Sequence, residues 1–390
     1  MTQDTDVNQA HLILPPATIG MVGGGQLGRM FAMAAATMGY DVVVFCEDSD
    51  SPAAQVATRA VIGSLTDADA VHEFAQQCDV ITLEFENISA ETIARCSEFA
   101  PTYPSASVLA TAQDRLVEKT TLRDAGLPVT PFQSVSDAQS LCHAAETLGW
   151  PLIVKTTRSG YDGKGQHRVE SEVQAAAVPW ATADSWTAEK CIAFDREVSV
   201  VVARTADGRC ECFPVFENEH ANHILDITTV PASISSTLEN RACEIARSAA
   251  ETLDVVGLLC VEMFVLDDDA VLMINEVAPR PHNSGHLSIE AMETSQFQQH
   301  VRAVCGLPLG STQLIGGGAA MANLLGDLWN VDGSPPAWDR VLSVAGVHLH
   351  LYGKGMAKIG RKMGHLTATG SNVKQARQRV VQARKELDDA

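Results

Sequence analysis

The sequence predicts a mixed α/β and α+β chain of three domains: a parallel α/β domain, a larger central α+β domain and a small closing unit. Three observations carry this. Short apolar strands alternate with helical stretches from residue 18 to about 110, the pattern of βαβ crossovers. Two apolar, β-branched runs near residues 260 and 276 flank the acidic turn Asp267-Asp-Asp269 and read as a hairpin. At 390 residues the chain has material for two or three cores.

In order, residues 1–17 are polar, lack a basic segment and read as a disordered tail, not a signal peptide. Thr18–Val22 reads as a strand, Gly28–Met38 as a helix, and Asp41–Phe45 and Val80–Glu84 as further strands, giving a first domain over 18–111. Pro101 and Pro104 mark its exit. A helix over Ala112–Asp124 opens a central domain over 112–312, with strands at Pro151–Lys155 and Glu197–Ala203 and a lid subdomain near 128–200. The closing unit spans 313–390, with a strand at Val347–Tyr352 and an amphipathic helix at Gln375–Leu387.

Composition excludes several classes of function. A net charge of −20 argues against nucleic acid or an anionic membrane as partner, because phosphate contacts need clustered Lys and Arg. No apolar run approaches the ~20 residues of a bilayer span. Ten scattered cysteines without metal-type spacing read as reduced core residues of a cytoplasmic protein. Against this acidic background Lys354, Lys358, Arg361 and Lys362 stand together, either a solvated loop or a grip for a small phosphorylated substrate.

Four motifs carry chemistry. Glu262 and Glu276 lie in buried-strand patterns, where carboxylates need a cation; with Asn275 they form a plausible cage for Mg²⁺ carrying a nucleotide. Gly23-Gly-Gly-Gln-Leu-Gly28 follows a strand and opens a helix, a turn that delivers an anion to a helix N-terminus. Together with Glu47 it suits a dinucleotide, but it suits any other phosphate equally. Lys155 ends a strand ahead of Ser159-Gly-Tyr-Asp-Gly-Lys-Gly-Gln166, which reads as a phosphate lid and is not a Walker A loop. Arg280-Pro-His-Asn-Ser-Gly-His286 places many polar side chains just past a buried strand, and the flanking prolines stiffen it. His220 and His223 show no carboxylate or cysteine at metal spacing, and His348 and His350 read as packing residues.

This order of motifs resembles the ATP-grasp superfamily over residues 18–370. Within it, Tyr161-Asp-Gly-Lys-Gly-Gln166, Pro279-Arg-Pro-His-Asn-Ser-Gly-His286 and Leu351-Tyr-Gly-Lys354 with Gly360-Arg-Lys-Met-Gly-His365 are similar to the 5-(carboxyamino)imidazole ribonucleotide synthetases. The resemblance implies a pre-ATP-grasp domain, an ATP-grasp domain with a mobile lid and a small C-terminal domain, in a homodimer. It implies ATP, as co-substrate, at Arg115, Lys155, Gly160, Tyr161, Asp162, Gly163, Lys164, Gly165, Gln166, Glu189, Lys190, Cys191, Ile192, Glu197 and His220, with Asn275 and Glu276. Mg²⁺, two ions with the nucleotide, would sit on Glu262 and Glu276, and the ribonucleotide on Gln26, Leu27, Glu84, Asn283, Lys354, Arg361 and Lys362.

The implied reaction joins bicarbonate to aminoimidazole ribonucleotide at the expense of ATP, through carboxyphosphate. Arg280, His282 and Asn283 would orient bicarbonate and stabilise the acyl phosphate, and Tyr161 and Asp162 would close over it. Phosphoryl transfer of this kind rests on charge neutralisation and positioning more than on a protein nucleophile. The rival within the fold is a formate-dependent glycinamide ribonucleotide transformylase; the rival outside it is a dinucleotide-dependent oxidoreductase resting on the first glycine turn.

Overall fold

The computed structural model describes residues 12–158, 165–267, 270–330 and 332–387. Three sheets organise it. The first is parallel, in the order Arg59–Ile62, Asp41–Cys46, Thr18–Val22, Val80–Leu83, Thr102–Tyr103. Its central strands are buried on both faces, as βαβ crossovers require. Residues 12–17 do not belong to a disordered tail: Ile13 is buried in this domain's core and its amide donates to the Cys305 carbonyl at 3.0 Å. Burial of the Ile13 side chain docks this segment, while Leu12 and Leu14 on either side of it stay exposed.

The second sheet, antiparallel, runs Phe132–Val135, Trp186–Lys190, Leu152–Thr156, Gln166–Val169. The third has nine strands: Val271–Ala278, Gly257–Leu266, Arg196–Arg204, Phe216–Ala221, Ile224–Val230, Gly318–Leu325, Lys362–Gly370 and Val347–Leu351, with Cys210–Cys212 beside Arg196–Arg204. The strands after residue 313 thus extend the central sheet.

Period-two alternation gives this large sheet two different faces. Val198, Val200 and Val202 pack with Leu259 and Val261 against Leu238, Ala242, Ile245 and Ala249 of the helix Ser236–Thr252. The intervening residues Glu197 and Ser199 point the other way, with Glu262, which is the cross-strand partner of Ser199. Burying the valine face holds the polar face in place.

The expected helix over Ala112–Asp124 is found as Arg115–Asp124, and Ala112 ends a separate helix before it. Ala106–Ala112 ends, and Asp114 starts Arg115–Asp124 by accepting from the amides of Leu116 and Val117. A short acid in extended conformation at that point is an N-cap, and it stops the first helix from running on. All ten cysteines are free, and among the described residues no helix is long and apolar enough to cross a membrane.

Candidate active site

The acid pair lies where two adjacent strands meet in register. Glu262 and Glu276 are directly opposed, and a bulge there leaves Asn275 as an extra residue. Before the bulge Leu272 and Ile274 face the helix-side core, and after it Val277 does. The added residue shifts the alternation by one, so Glu276 escapes the core and joins Glu262 on the polar face. Glu276 accepts from Arg115 Nη1 at 3.1 Å.

Beside them is a buried charged pocket. The helix Arg115–Asp124 presents Arg115, Glu118 and Lys119 at helical i, i+3, i+4 spacing. Glu189 Oε2 takes Lys155 Nζ at 3.1 Å and Lys119 Nζ at 3.2 Å, while Lys119 also donates to Thr130 Oγ1 and to the Asn275 carbonyl. Burial would raise the Glu189 carboxyl, but the two lysines and Arg115 outweigh it and hold it at about 2. Its second oxygen, buried, has no partner among the described residues. Burial pushes the neighbouring Glu118 up to about 8.

The loop after the second acid reaches two domains at once. Arg280 binds Glu86 of the first domain through both Nε and Nη2, the latter at 2.9 Å. Burial opposes its ionisation, yet the Arg280 guanidinium holds Glu86 at about 2. His282 Nε2 meets Glu262 Oε1 at 2.8 Å. Burial disfavours the imidazolium, but Cys260 and Glu262 together push His282 up to about 10. Gln296 pins the loop by accepting from the His282 amide and donating to the His282 carbonyl. The Asn283 side-chain amide is buried without a partner among the described residues, the mark of a group awaiting a ligand.

The glycine turn holds a carboxyl group already, and it is the chain's own. Glu84 accepts from the amides of Gly25 and Gly28, the second at 2.9 Å, and is almost fully buried. The parallel register of Val80–Leu83 beside Thr18–Val22 sets it there. Gly23 adopts φ +108°, and a Cβ on it would strike the Glu84 side chain. A phosphate brought to this turn, of a dinucleotide or of any other ligand, would therefore meet an occupied helix N-terminus. In front of the turn a cleft of about 430 Å³ is lined by Gly23–Gly25, Glu47, Ser51, Lys354 and Arg361. Lys354 Nζ donates to the Lys362 carbonyl at 2.6 Å and sits over the Tyr352 ring.

The fold thus gathers Arg115, Lys155, Glu189, Glu262, Asn275, Glu276, Arg280, His282 and Asn283 around one face, with Lys354 and Arg361 in the adjoining cleft and Glu84 buried behind its glycine turn. Glu197 binds His220, and both line one pocket; the carboxylate partner missing from the sequence reading of His220 is supplied across the sheet. Leu27 packs in the first domain's core, so its side chain is not presented to a ligand. Cys191 accepts from Arg168, and Lys190 is exposed. Gly160, Tyr161, Asp162, Gly163 and Lys164 lie outside the described residues; Gly165 and Gln166 follow them, Gln166 pairing with Lys155. Sequence reasoning missed Glu86, Glu118 and Lys119. Glu86 had a signal, since Glu84-Phe-Glu86 repeats an acid at the end of an apolar strand.

Glu262 and Glu276 offer only oxygen donors, which suits a hard cation. Among the described residues no three His, Cys, Asp or Glu side chains are grouped to hold a metal alone. A pair that leaves the rest of the shell to phosphate oxygens is how Mg²⁺ enters nucleotide sites, so the residues fit that ion.

Comparison with known proteins agrees with this geometry. Residues 16–113 match the ribonucleotide synthetase preATP-grasp domain, 120–297 the ATP-grasp domain and 319–379 the phosphoribosylaminoimidazole carboxylase C-terminal domain. The fold and enzyme class are those of an ATP-grasp carbon–nitrogen ligase. An N5-carboxyaminoimidazole ribonucleotide synthase of Bacillus subtilis is 42% identical over 92% of this chain and 92% of its own. Its counterpart in Brucella melitensis is 44% identical over 90% and 96%. A solved ADP complex of an N5-carboxyaminoimidazole ribonucleotide synthetase superposes with a TM-score of 0.91 at 41% identity, covering 98% of this chain and 99% of that one. The Aspergillus clavatus enzyme, solved with ADP and 5-aminoimidazole ribonucleotide, gives 0.87 at 32% identity, covering 96% and 99%. The chain also matches a bifunctional purine synthesis protein of Dictyostelium discoideum at 42% identity, spanning 37% of that protein's length. The chain belongs to the N5-carboxyaminoimidazole ribonucleotide synthase family.

Proposed function

We propose that this chain carboxylates 5-aminoimidazole ribonucleotide with bicarbonate and ATP, and that the groups gathered above divide the work. The observation that carries the assignment of roles is the loop at Arg280 and His282. Its two side chains bind Glu86 at the first domain's edge and Glu262 at the nucleotide acid pair, so it bridges the two halves of the site. ATP is read at Arg115, Lys155, Glu189, Glu197 and His220, with the free oxygen of Glu189 available to the base. Glu262 and Glu276 would hold Mg²⁺, which neutralises phosphate charge when bound. The ribonucleotide is read in the cleft between the glycine turn and the Lys354–Lys362 loop, where Lys354 and Arg361 stand opposite the acids Glu47, Asp48 and Asp50.

In this scheme a bicarbonate oxygen attacks the γ-phosphorus and ADP departs, leaving carboxyphosphate. The exocyclic amine then attacks the carboxyl carbon, directly or by way of CO₂; phosphate leaves and the amine loses a proton. The Arg280 guanidinium and the His282 ring are read where the negative charge of the acyl phosphate would concentrate, and the Asn283 amide offers the further donor. Tyr161 and Asp162 are read as the cover that keeps water out. Ten free cysteines support a reducing, cytoplasmic setting, and the dimer implied by the resemblance is open to sedimentation.

The test is ADP release by purified protein given ATP, Mg²⁺, bicarbonate and aminoimidazole ribonucleotide. Turnover dependent on all of them is expected. Turnover only with glycinamide ribonucleotide and formate would overturn the reading.

A further inference from the structure

Behind His282, on the side away from Glu262, a line of polar side chains runs into the interior. Ser284 Oγ lies 2.8 Å from His282 Nδ1, and Ser199 Oγ lies 2.8 Å from Ser284 Oγ. Asn218 Nδ2 donates to Ser199 Oγ at 2.9 Å, and Thr228 Oγ1 donates to Asn218 Oδ1 at 3.0 Å. Ser284, Ser199 and Thr228 are completely buried, and Asn218 is 6% exposed. None of the three roles assigned above, nucleotide, metal or ribonucleotide binding, uses them.

Their surroundings make them costly to keep. The same face of the sheet continues into Val201, Phe216, Leu225, Cys260 and Leu287, an apolar cluster that alanine or valine would join. Burying hydroxyls and an amide is neutral at best when every one is paired. The strands supply the pairing by register: Ser199 stands opposite Glu262, and Asn218 opposite Thr228. The chain of contacts starts at Thr228, in a strand beyond the site, and ends on a ring nitrogen of His282.

That ring is held from one edge by Glu262 and from the other by this line, together with the Ser284 backbone amide, which donates to Nδ1 at 3.3 Å. We propose that Ser284, Ser199, Asn218 and Thr228 are positioning residues, which fix the orientation of the His282 imidazole so that Nε2 stays on the acid pair. The proposal rests on the reading of His282 as a catalytic residue. The Ser284 amide at 3.3 Å is a longer hold on Nδ1 than the hydroxyl at 2.8 Å, so without the line the ring is free to shift, and misplacement by about 1 Å at a reacting centre costs ~100-fold in rate. Outer partners that orient a site histidine elsewhere contribute ~10–100-fold.

Ser199 and Thr228 make the cleanest tests, because neither reaches a ligand surface. Ser199→Ala and Thr228→Val are compared with wild type, with His282→Gln and with the double variants, following kcat, the KM for ATP and for aminoimidazole ribonucleotide, and Tm. Ser199→Ala should lower kcat ~10–100-fold with both KM values kept, and should cost nothing further once His282 is Gln. Thr228→Ser should restore what Thr228→Val loses. An equal loss in both backgrounds, or a lowered Tm with kcat intact, overturns the proposal while leaving the assigned reaction standing. If His282→Gln keeps full kcat, the role given to His282 falls first and this one with it. Should Ser199→Ala not fold, Thr228→Val carries the same comparison from the far end of the line.

Discussion

Glu276 stands directly opposite Glu262 on the neighbouring strand, and the extra residue Asn275 is what turns it to that side. An unbroken alternation from Leu272 and Ile274 would have aimed it into the apolar core under the sheet. The pair is therefore built by a bulge, a device common beside active sites. Glu276→Gln keeps the shape and removes one charge. It should lower ADP release on the order of 10²–10³-fold, the scale of losing one electrostatic group at a phosphoryl-transfer centre. Arg115 retains Glu118 and Glu189 nearby, so the fold should survive, as circular dichroism would show. Near-normal turnover in this variant would remove Glu276 from the metal pair.

Glu86 gives a pH-dependent prediction. Burial alone would raise its carboxyl, but Arg280 holds it at about 2, below its ordinary 4.5. A depressed acid stabilises the fold above its unfolded value and loses that contribution as the pH falls through the folded one. The Tm gap between wild type and Glu86→Gln should be full at pH 7 and should shrink between about pH 5 and pH 2. The same variant frees the Arg280 fork and should cut kcat ~10–100-fold. Thermal melts at stepped pH provide the check, and a gap constant down to pH 2 would exclude the Glu86–Arg280 pair as its source.

These two cases show what the sequence does and does not disclose. Acids inside apolar runs announce Glu262 and Glu276, because a carboxylate there demands a partner or an open face; Glu276 is not buried as the run suggests, its side chain being 42% exposed. The bulge too leaves a trace, in the spacing of Leu272, Ile274 and Val277. The break at Asp114 was also legible as a capping residue, but a helical pattern on both sides conceals it. Partnerships set by strand register leave no such trace. Glu84 filling the turn at Gly25, Arg280 reaching Glu86, and His220 meeting Glu197 join residues separated by 59, 194 and 23 positions. Only the assembled sheets bring them together.

The self-filled glycine turn predicts the effect of adding one methyl group. Gly25 has φ −84°, which any residue adopts, so Gly25→Ala meets no backbone strain. Its Cβ would lie 2.7 Å from Glu84 Oε1 and 2.8 Å from Oε2, closer than contact allows. The carboxylate must move, and the wall of the ribonucleotide cleft moves with it. The KM for aminoimidazole ribonucleotide should rise ~10-fold, equivalent to about 1.4 kcal/mol, with the KM for ATP unchanged. Steady-state kinetics with each substrate varied in turn decides this; a rise in the ATP KM instead would place Glu84 at the nucleotide.

Lys354 tests the other wall of that cleft. Its ammonium donates to the Lys362 carbonyl and lies 5.5 Å from the Tyr352 ring centroid, so backbone and aromatic face hold it beside Arg361. A cation placed in this way serves a phosphate dianion, with a charge-assisted bond of about 1.5–3 kcal/mol. Lys354→Ala should raise the ribonucleotide KM ~10–100-fold and leave kcat within a few-fold, because the phosphate is remote from the bond that forms. Lys354→Arg should recover only part of the loss, since a planar fork does not reproduce a compact ammonium against the Tyr352 ring. Salt separates this effect from a change of shape. Screening by added NaCl should raise the wild-type KM more steeply than that of Lys354→Ala, which has one fewer charge to screen. Parallel salt dependences in the two proteins would mean that Lys354 does not meet the phosphate.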